Sequence, residues 1–491
     1  MLLRIARPAL LLALLFLCMP VWAQSGALPQ RTPIASVSSL DLKPPVQAIP
    51  SQSADLNAGV VSTRIDKADT AWTLLGAALV LLMTPGLAFF YGGLTRSKNV
   101  MSTFMMSFVA MGIVSIQWML FGYSLAFGTD IHGIIGDPMQ YFGLRGVGAE
   151  PRQDIGQTIP QTAFMIFQMA FAVITPALIS GAVVERIKFG AYCLFILLWS
   201  TFVYDPLVHM VWGGGWLAQR GVLDFAGGTV VETASGVSAL VMALMLGKRR
   251  GLGSEELRPH NLPMVLIGAG ILWFGWFGFN AGSTLAVNSL AAQTFINTHI
   301  AGAAAALVWM LIEWVRFKKP SALGFASGAI AGLVAITPAC GFVDTIGAVA
   351  IGAGAAFISF YAILLKSKLD RYDDSLDVFA VHGCAGMFGL LATGLFANAL
   401  INPAITHGLN GQAGILANGH SIGQLGTQLL AVAVTASLAI VLTLVTGKIA
   451  GVLTGGLRAT ADEEENGLDV TEHGEAGYST DAAGTAAYAV H

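Results

Sequence analysis

Two stretches of the sequence decide the fold: residues 226–247, AGGTVVETASGVSALVMALMLG, and residues 378–399, VFAVHGCAGMFGLLATGLFANA. A helix needs about 20 consecutive, mostly apolar residues to cross the hydrocarbon core of a bilayer, and each stretch meets that length. Each also carries one ionisable side chain well inside the apolar run, Glu232 in the first stretch and His382 in the second. Because ionisable groups inside a membrane are costly, they indicate a functional site.

The composition of the whole chain agrees with these two stretches. Of the 491 residues, 55% are hydrophobic and 11% are charged, whereas soluble globular domains have about 25% charged residues. A chain with so few charges cannot cover a water-facing surface, so the sequence predicts an all-α protein embedded in a membrane. The formal net charge of −3 and the absence of a long run of lysine and arginine argue against a nucleic-acid partner.

Apolar runs of this kind recur along the chain and predict eleven transmembrane helices. We place them at residues 69–93, 101–128, 160–182, 189–210, 226–247, 262–282, 298–316, 321–339, 343–366, 378–399 and 425–456. Loops that follow odd-numbered helices hold 14 lysine and arginine residues, and loops that follow even-numbered helices hold three. Because positively charged loops face the cytoplasm, we expect the N-terminus outside and the C-terminus in the cytoplasm.

Eleven helices divide into two groups of five and one long C-terminal helix. A five-helix unit reverses its orientation when it is repeated, which allows two inverted repeats with a site near the bilayer midplane. Val231–Gly236 and Val381–Gly386 support such a repeat, since each has valine, an ionisable residue, three small or polar residues and glycine. The repeat would bring Glu232 and His382 to one axis, where a carboxylate and an imidazole can pass a proton. The alternative is a pair that only links two helices.

The segments outside the predicted helices have signatures of their own. Residues 1–23 combine two arginines, an apolar run and a small-residue cleavage site, which predicts a signal peptide; the alternative is an uncleaved membrane span. Residues 24–68 form a polar extracytoplasmic leader rich in proline and serine. The eleven-helix domain then covers residues 69–456. Residues 457–491 form an acidic cytoplasmic tail, which we expect to be solvated or docked on a partner.

Two aspartates stand directly before the fifth and tenth predicted helices. Asp224 opens the segment DFAGG, where its carboxylate can cap the helix by accepting hydrogen bonds from free backbone amides. A second interpretation is that the same carboxylate attracts a cation at the outer mouth of the domain. Asp377 precedes the tenth helix and favours the same capping role on the cytoplasmic side.

Aromatic residues cluster near the outer ends of the predicted helices: Phe167, Phe171, Trp212, Trp276 and Phe279. Phe167 and Phe171 are four residues apart, so their rings lie on one face of a helix. The cluster is typical of an interfacial aromatic belt. It is also typical of a cation–π site with a hydrophobic constriction behind it, to which the hydroxyl of Ser283 would add a hydrogen-bond acceptor.

Motifs of several other protein classes are absent from the sequence. It contains no phosphate-binding loop, no H-E-x-x-H zinc motif and no C-x-x-C pair among its four cysteines. We therefore expect no enzyme activity, no cofactor and no metal site, and an ATP-driven pump is unsupported.

Several longer motifs together resemble the Amt/Mep/Rh family of ammonium transporters, in particular its bacterial Amt branch. The likeness extends over about residues 67–478. The motifs are HMVWGGG at 209–215, DFAGGTVV from residue 224, PHNLPMV at 259–265, GWFGFNAGS at 275–283, SGAIAGLVAITPACG at 327–341, DVFAVHG at 377–383 and GLDVTEHGE at 467–475.

The resemblance implies a role for each candidate residue of the outer site. By their positions in the motifs, Trp212 and Ser283 match an outer site that recruits ammonium. Phe167 and Phe171 match the stacked phenyl gate below that site. Asp224 matches an essential acidic residue that shapes the outer site without contacting the substrate.

The resemblance also implies a pore with a proton relay. His382 matches the second histidine of a pair in the pore, and this chain has Glu232 where most bacterial members have the first histidine. The expected mechanism recruits NH₄⁺, removes its proton and conducts NH₃, while the proton moves along the Glu232–His382 pair. The alternative function is an ammonium sensor that signals through its tail and transports little.

Partners and location follow from the same resemblance. The family implies a homotrimer in the inner (cytoplasmic) membrane, in which each protomer has its own narrow apolar pore. The acidic tail resembles a cytoplasmic segment that contacts the pore domain and a PII-type signal protein.

Overall fold

The structure, a computed structural model, describes residues 65–478 except for residues 153, 155, 408, 410 and 418–421. The predicted signal peptide at 1–23 and nearly all of the predicted leader at 24–68 lie outside the described residues. Within that part of the chain the protein is helical, apart from one small antiparallel ribbon in which Asp130–Ile131 pairs with Ile135–Gly136.

Apolar helices occur at all eleven predicted places, which confirms an all-α membrane fold. They are α1 Lys67–Leu94, α2 Ser97–Phe127, α3 Gln161–Val183, α4 Phe189–Gln219, α5 Gly228–Leu246, α6 Leu262–Thr284, α7 Ser289–Phe317, α8 Ala322–Ile336, α9 Thr345–Leu369, α10 Phe379–Phe396 and α11 Ile422–Leu453. Ten of them are long and apolar enough to cross a membrane, and α8 is a shorter apolar helix. A short helix, Ala404–His407, lies between α10 and α11, and α12 (Ala461–Asn466) and α13 (Leu468–His473) follow α11.

The start of α7 and the end of α4 differ most from their predictions, by nine residues each. The apolar run predicts a start at residue 298, whereas the helix begins at Ser289, where the side chain of Asn288 caps it by accepting a bond from the amide of Ala291. The additional turns contain polar residues that lower the local hydropathy. Asn297 among them is buried and donates to the carbonyl oxygens of Cys340 and Val343, at 2.9 and 2.7 Å. Internal hydrogen bonds therefore make these polar turns compatible with the protein interior.

Four of the described transmembrane helices contain a π-helical segment. The segments are Trp118–Gly122 in α2, Ser200–Tyr204 in α4, Gly228–Thr233 in α5 and Phe379–Cys384 in α10. Single π-turns inside α-helices are frequent at functional sites. The segments in α5 and α10 occupy the same place in each helix and contain Glu232 and His382, as two copies of one structural unit would.

The backbones of α5 and α10 touch where the two helices cross. A Cβ atom added at Gly236 would lie 2.1 Å from the backbone nitrogen of Gly383, and one added at Gly386 would lie 2.7 Å from the Cβ of Glu232. Small residues allow helices in a membrane to approach this closely. Glycine is therefore required at this crossing.

The capping role predicted for Asp224 is confirmed. Its two carboxylate oxygens accept hydrogen bonds from the backbone amides of Gly227, Gly228 and Thr229, at 2.8, 2.7 and 2.7 Å. These amides belong to the first turn of α5 and would otherwise lack partners in a buried environment. The carboxylate thus fixes the start of the helix that carries Glu232.

The capping role predicted for Asp377 is wrong, because Asp374 performs it. The carboxylate of Asp374 accepts bonds from the amides of Val378 and Phe379, at 3.1 and 2.7 Å. Asp377 has a left-handed backbone with φ of 61° and forms an ion pair with Lys366 instead. Burial raises the pKa of Asp374 to about 6, although the charge of Lys366 opposes the rise.

Residues 457–478 of the acidic tail dock on the helical domain of their own chain, as the family resemblance implies, and do not extend into solvent. The ammonium group of Lys98 donates to the carbonyl oxygens of Glu464 and Glu465, and the amide of Ser102 donates to Asp469 at 2.8 Å. The carboxylate of Glu464 is 2% exposed and pairs with Arg458. Ion pairs and backbone hydrogen bonds thus hold a segment that has few apolar residues.

The crossing of α5 and α10 predicts a strong effect of Gly236→Val. The valine side chain has no room against the α10 backbone. We therefore expect the free energy of unfolding to fall by about 1–3 kcal/mol from overpacking. Thermal unfolding of the detergent-solubilised protein measures the effect. Gly270→Ala is the matched control, because no atom lies within 4 Å of the added Cβ. Equal unfolding temperatures for the two variants would contradict the contact.

Candidate functional site

Two pockets lie one behind the other among the described helices. The outer pocket brings together four of the predicted site residues, which are Phe167, Trp212, Asp224 and Ser283. The inner pocket contains the other predicted pair, Glu232 and His382. The structure thus assembles residues from α3, α4, α5, α6 and α10 in two adjacent places.

The outer pocket is organised by the backbone and side chain of Asp224. The indole nitrogen of Trp212 donates to the carbonyl oxygen of Asp224 at 2.9 Å, which fixes the plane of the ring. The carboxylate of Asp224 is already occupied by three backbone amides and is 4% exposed. Asp224 therefore shapes the pocket through its hydrogen bonds and does not present a free carboxylate to it.

The hydroxyl of Ser283 is oriented in a similar way. It donates to the carbonyl oxygen of Phe279, one helical turn earlier, at 2.8 Å. Because a serine hydroxyl has one proton and two lone pairs, its oxygen can still accept a hydrogen bond. An aromatic face and a hydroxyl acceptor are the groups that a small ammonium-type cation can use.

A pair of phenyl rings separates the two pockets. The rings of Phe167 and Phe171 lie on one face of α3, as their spacing predicts, with their centroids 5.0 Å apart. Their planes meet at 61°, so the two rings are edge-on and not stacked as the resemblance implies. The ring of Phe171 is closer to that of Phe279 in α6, with 4.4 Å between centroids, and it also meets Trp212 edge-on at 6.1 Å. Since Trp212 lines the outer pocket and Phe279 the inner one, the ring of Phe171 lies between the two pockets.

Apolar side chains enclose the inner pocket. Of its twelve lining residues, ten are apolar and the remaining two are Glu232 and His382. Nδ1 of His382 lies 2.7 Å from Oε2 of Glu232, with side-chain exposures of 5% and 1%. A hydrogen bond of this length between a carboxylate and an imidazole places one proton between two groups that can both hold it.

Sequence reasoning missed one polar residue of the outer pocket. Gln168 lines this pocket, is 6% exposed, and its Oε1 atom has no hydrogen-bond partner among the described residues. The signal in the sequence was an amide inside the apolar run FMIFQMAF, directly after Phe167. An unpaired buried amide oxygen is costly, so it is available to accept a hydrogen bond from a ligand.

Sequence reasoning also missed the symmetry between the two caps. Asp224 precedes Glu232 by eight residues, and Asp374 precedes His382 by eight residues. Each aspartate accepts bonds from amides in the π-helical segment that follows it. The equal spacing could have identified Asp374, although nothing in the sequence shows which of the three nearby aspartates faces the helix.

The described part of the chain contains no group of three or more histidine, cysteine, aspartate or glutamate side chains that could hold a metal ion. Cys193, Cys340 and Cys384 are free thiols. The side chains that line the two pockets offer hydrogen bonding, cation–π attraction and proton exchange.

Comparisons with known proteins agree with this geometry. The model of the Ammonium Transporter Family matches residues 71–478. An ammonium transporter of Mycobacterium tuberculosis is 49% identical over 438 residues, which cover 84% of this chain and 90% of that protein. One of Bacillus subtilis is 49% identical over 412 residues, which cover 84% and 98%.

Solved structures of related proteins have the same fold as this chain. The crystal structure of Saccharomyces cerevisiae Mep2 has a TM-score of 0.74 and 36% identity, and the match covers 85% of this chain and 94% of that chain. A structure described as a sensor Amt protein has a TM-score of 0.74 and 30% identity, with coverage of 83% and 98%. The chain belongs to the ammonium transporter family, a family of transporters and not of enzymes.

Proposed function

We propose that this protein recruits NH₄⁺ at the outer pocket, removes its proton and conducts NH₃ through the inner pocket, while the proton moves along Glu232 and His382. The observation that carries the proposal is the 2.7 Å contact between these two side chains inside an otherwise apolar pocket. An apolar passage with one proton-exchanging pair suits a substrate that crosses in neutral form.

The outer pocket supplies the groups for the first step. The cation is held between the ring of Trp212 and the hydroxyl oxygen of Ser283, and the unpaired Oε1 of Gln168 accepts a third contact. Trp212 is fixed for this role by its bond to the carbonyl oxygen of Asp224. Attraction to an aromatic face contributes about 0.5–2 kcal/mol, which suits brief recruitment better than tight capture.

Desolvation explains why the proton must leave. Moving a bare cation into a medium of low dielectric costs tens of kcal/mol by Born solvation, and the inner pocket provides two polar side chains against ten apolar ones. Neutral ammonia avoids that cost. K⁺ has no proton to lose, so the same passage discriminates against it without a cage of oxygen ligands.

Glu232 changes the chemistry of the proton path. A carboxylate beside His382 can hold the proton as an ion pair or as a neutral acid–imidazole pair, and both forms preserve the hydrogen bond. The carboxylate also makes the pair more negative than two imidazoles would be. A proton that enters the pair is therefore stabilised, and its release toward the cytoplasm limits the rate.

Assembly and orientation belong to the same proposal. We place the N-terminus outside, the tail in the cytoplasm and three copies of the chain in one assembly in the inner membrane. The imidazole of His299 supports self-association, because it lies on the outer surface of α7 against Trp273 and is exposed. A polar ring facing lipid is costly, and a neighbouring copy would cover it. The docked tail is the surface that a PII-type signal protein would contact.

The proton pair is tested by Glu232→Leu and His382→Leu. Each variant removes a proton-exchanging group, so we expect ammonium-dependent current to fall by at least about 100-fold, or selectivity against K⁺ to be lost. Electrical recording on purified protein in liposomes measures both quantities. Glu232→His, recorded beside the wild type, restores a pair of proton carriers and should keep a current.

Unchanged current and unchanged selectivity in both leucine variants would overturn the proton relay. Absence of any ammonium flux in wild-type liposomes would overturn transport itself and would favour a sensor.

The outer pocket is tested by Trp212→Leu. Loss of the aromatic face should raise the ammonium concentration for half-maximal current by about 3- to 30-fold and leave the maximal current within about twofold, because the ring acts before the rate-limiting release. Trp314→Leu is the matched control, since Trp314 is 54% exposed on the surface of α7. An equal shift in both variants would contradict the recruitment role.

Self-association is tested by the mass of the protein in native mass spectrometry. We expect the mass of three copies of the 51.3 kDa chain, less the mass of the signal peptide in each copy where it is cleaved. Replacing His299 with glutamate adds a charge to the buried contact and should shift the distribution toward single copies. A wild-type protein that is monomeric at the same concentration would contradict the assembly.

A further inference from the structure

A second pair of π-helical segments lies outside the pore. The segments Trp118–Gly122 in α2 and Ser200–Tyr204 in α4 are flanked by Gln117 and Asp205. Neither Gln117 nor Asp205 lines the outer or the inner pocket. The two transmembrane helices thus bring a carboxyl and an amide together at a place that the proposed transport mechanism does not use.

The two side chains are in direct contact. Nε2 of Gln117 donates to Oδ2 of Asp205 at 2.6 Å and also lies 3.3 Å from the hydroxyl of Thr201. Gln117 is 1% exposed and Asp205 is fully buried. Gly122 leaves room for the amide, because a Cβ atom there would lie 2.8 Å from Oε1 of Gln117.

Each of the two side chains has one oxygen without a partner. Oε1 of Gln117 and Oδ1 of Asp205 are buried and make no hydrogen bond within the described part of the chain. An amide oxygen and an ionised carboxylate oxygen are both acceptors, so neither can satisfy the other. A single proton on the carboxyl of Asp205 turns Oδ1 into a donor. That donor can bond to Oε1 of Gln117, so neither oxygen remains unpaired.

The charges around Asp205 favour that proton. Among the described residues, no lysine, arginine or histidine forms an ion pair with Asp205, and its titratable neighbour is the Tyr204 phenol on the same helix. His209, one turn along α4, directs its two ring nitrogens to the carbonyl oxygen of Ala126 and to Asp130. An unpaired carboxylate in a membrane is costly, whereas a carboxylic acid is neutral.

We propose that Asp205 holds a proton in the folded protein and donates it to the Gln117 amide, so that the two side chains form a closed acid–amide pair. This pair is a proton-binding site within the membrane that is separate from the Glu232–His382 pair. It joins α2 to the part of α4 that leads to Trp212. The competing occupant is a small cation such as Na⁺ on an ionised Asp205, and the test separates the two.

Asparagine imitates the protonated acid, because its amide can donate to Gln117 and accept from it. We therefore expect Asp205→Asn to lose one carboxylic-acid C=O stretching band in infrared difference spectra of the full-length protein at neutral pH. The thermal unfolding temperature should stay within about 2 °C of the wild type. Asp344→Asn is the matched control, since that exposed aspartate caps α9 as a carboxylate and should leave the band unchanged.

The pH dependence of the unfolding temperature provides a second readout that does not rely on infrared spectra. Loss of this proton at high pH would leave a buried negative charge on wild-type Asp205. Between pH values of about 7 and 10 the wild type should therefore lose at least about 5 °C more in unfolding temperature than Asp205→Asn. An unchanged carboxylic-acid band in Asp205→Asn would overturn the proposal. So would stabilisation of the wild type by NaCl over choline chloride that is absent in Asp205→Asn, because that result identifies a cation site.

Discussion

The close crossing of α5 and α10 is the constraint on which the rest of the structure depends. Glycine at 236 lets the two backbones touch, and glycine at 386 leaves space beside Glu232. With larger residues the helices would separate, and the 2.7 Å contact between Glu232 and His382 would exceed hydrogen-bond length. The Glu232–His382 hydrogen bond in the inner pocket therefore depends on this contact between two backbones.

The protein handles polar groups in the membrane by pairing them at short range. Asp224 and Asp374 satisfy the free amides at the starts of α5 and α10, so these helices can begin inside the protein. Charged residues collect instead in the loops before α10. Burial there raises the pKa of Asp373, but the hydrogen bonds and charge of Arg249 outweigh burial and lower the pKa overall. Against this pattern, the buried oxygens of Gln117, Gln168 and Asp205 are informative, because each lacks a hydrogen-bond partner among the described residues.

Much of the fold could be predicted because hydropathy reports directly on transfer into lipid. The start of α7 could not be predicted, because Asn297 lowers the local hydropathy. In the structure its side chain is buried and hydrogen-bonded to the carbonyl oxygen of Cys340. Glu232 and His382 were found because charge is rare in apolar runs. Sequence patterns did not predict the contact between Phe171 and Phe279, because it joins two segments that are distant in the chain. They also did not predict the cap by Asp374, because it depends on the left-handed backbone at Asp377. Local patterns carry no information on such contacts.

The docked tail has a consequence for biosynthesis. The ammonium group of Lys98 meets the carbonyl oxygen of Glu464, a residue 366 positions later in the chain. Lys98 lies at the start of the second helix, so it is synthesised long before its partner leaves the ribosome. This bond can therefore close only on a polypeptide whose eleven helices have all been synthesised. The docked tail thus distinguishes finished molecules from truncated ones, in which the ammonium group of Lys98 would lack its carbonyl partners at Glu464 and Glu465.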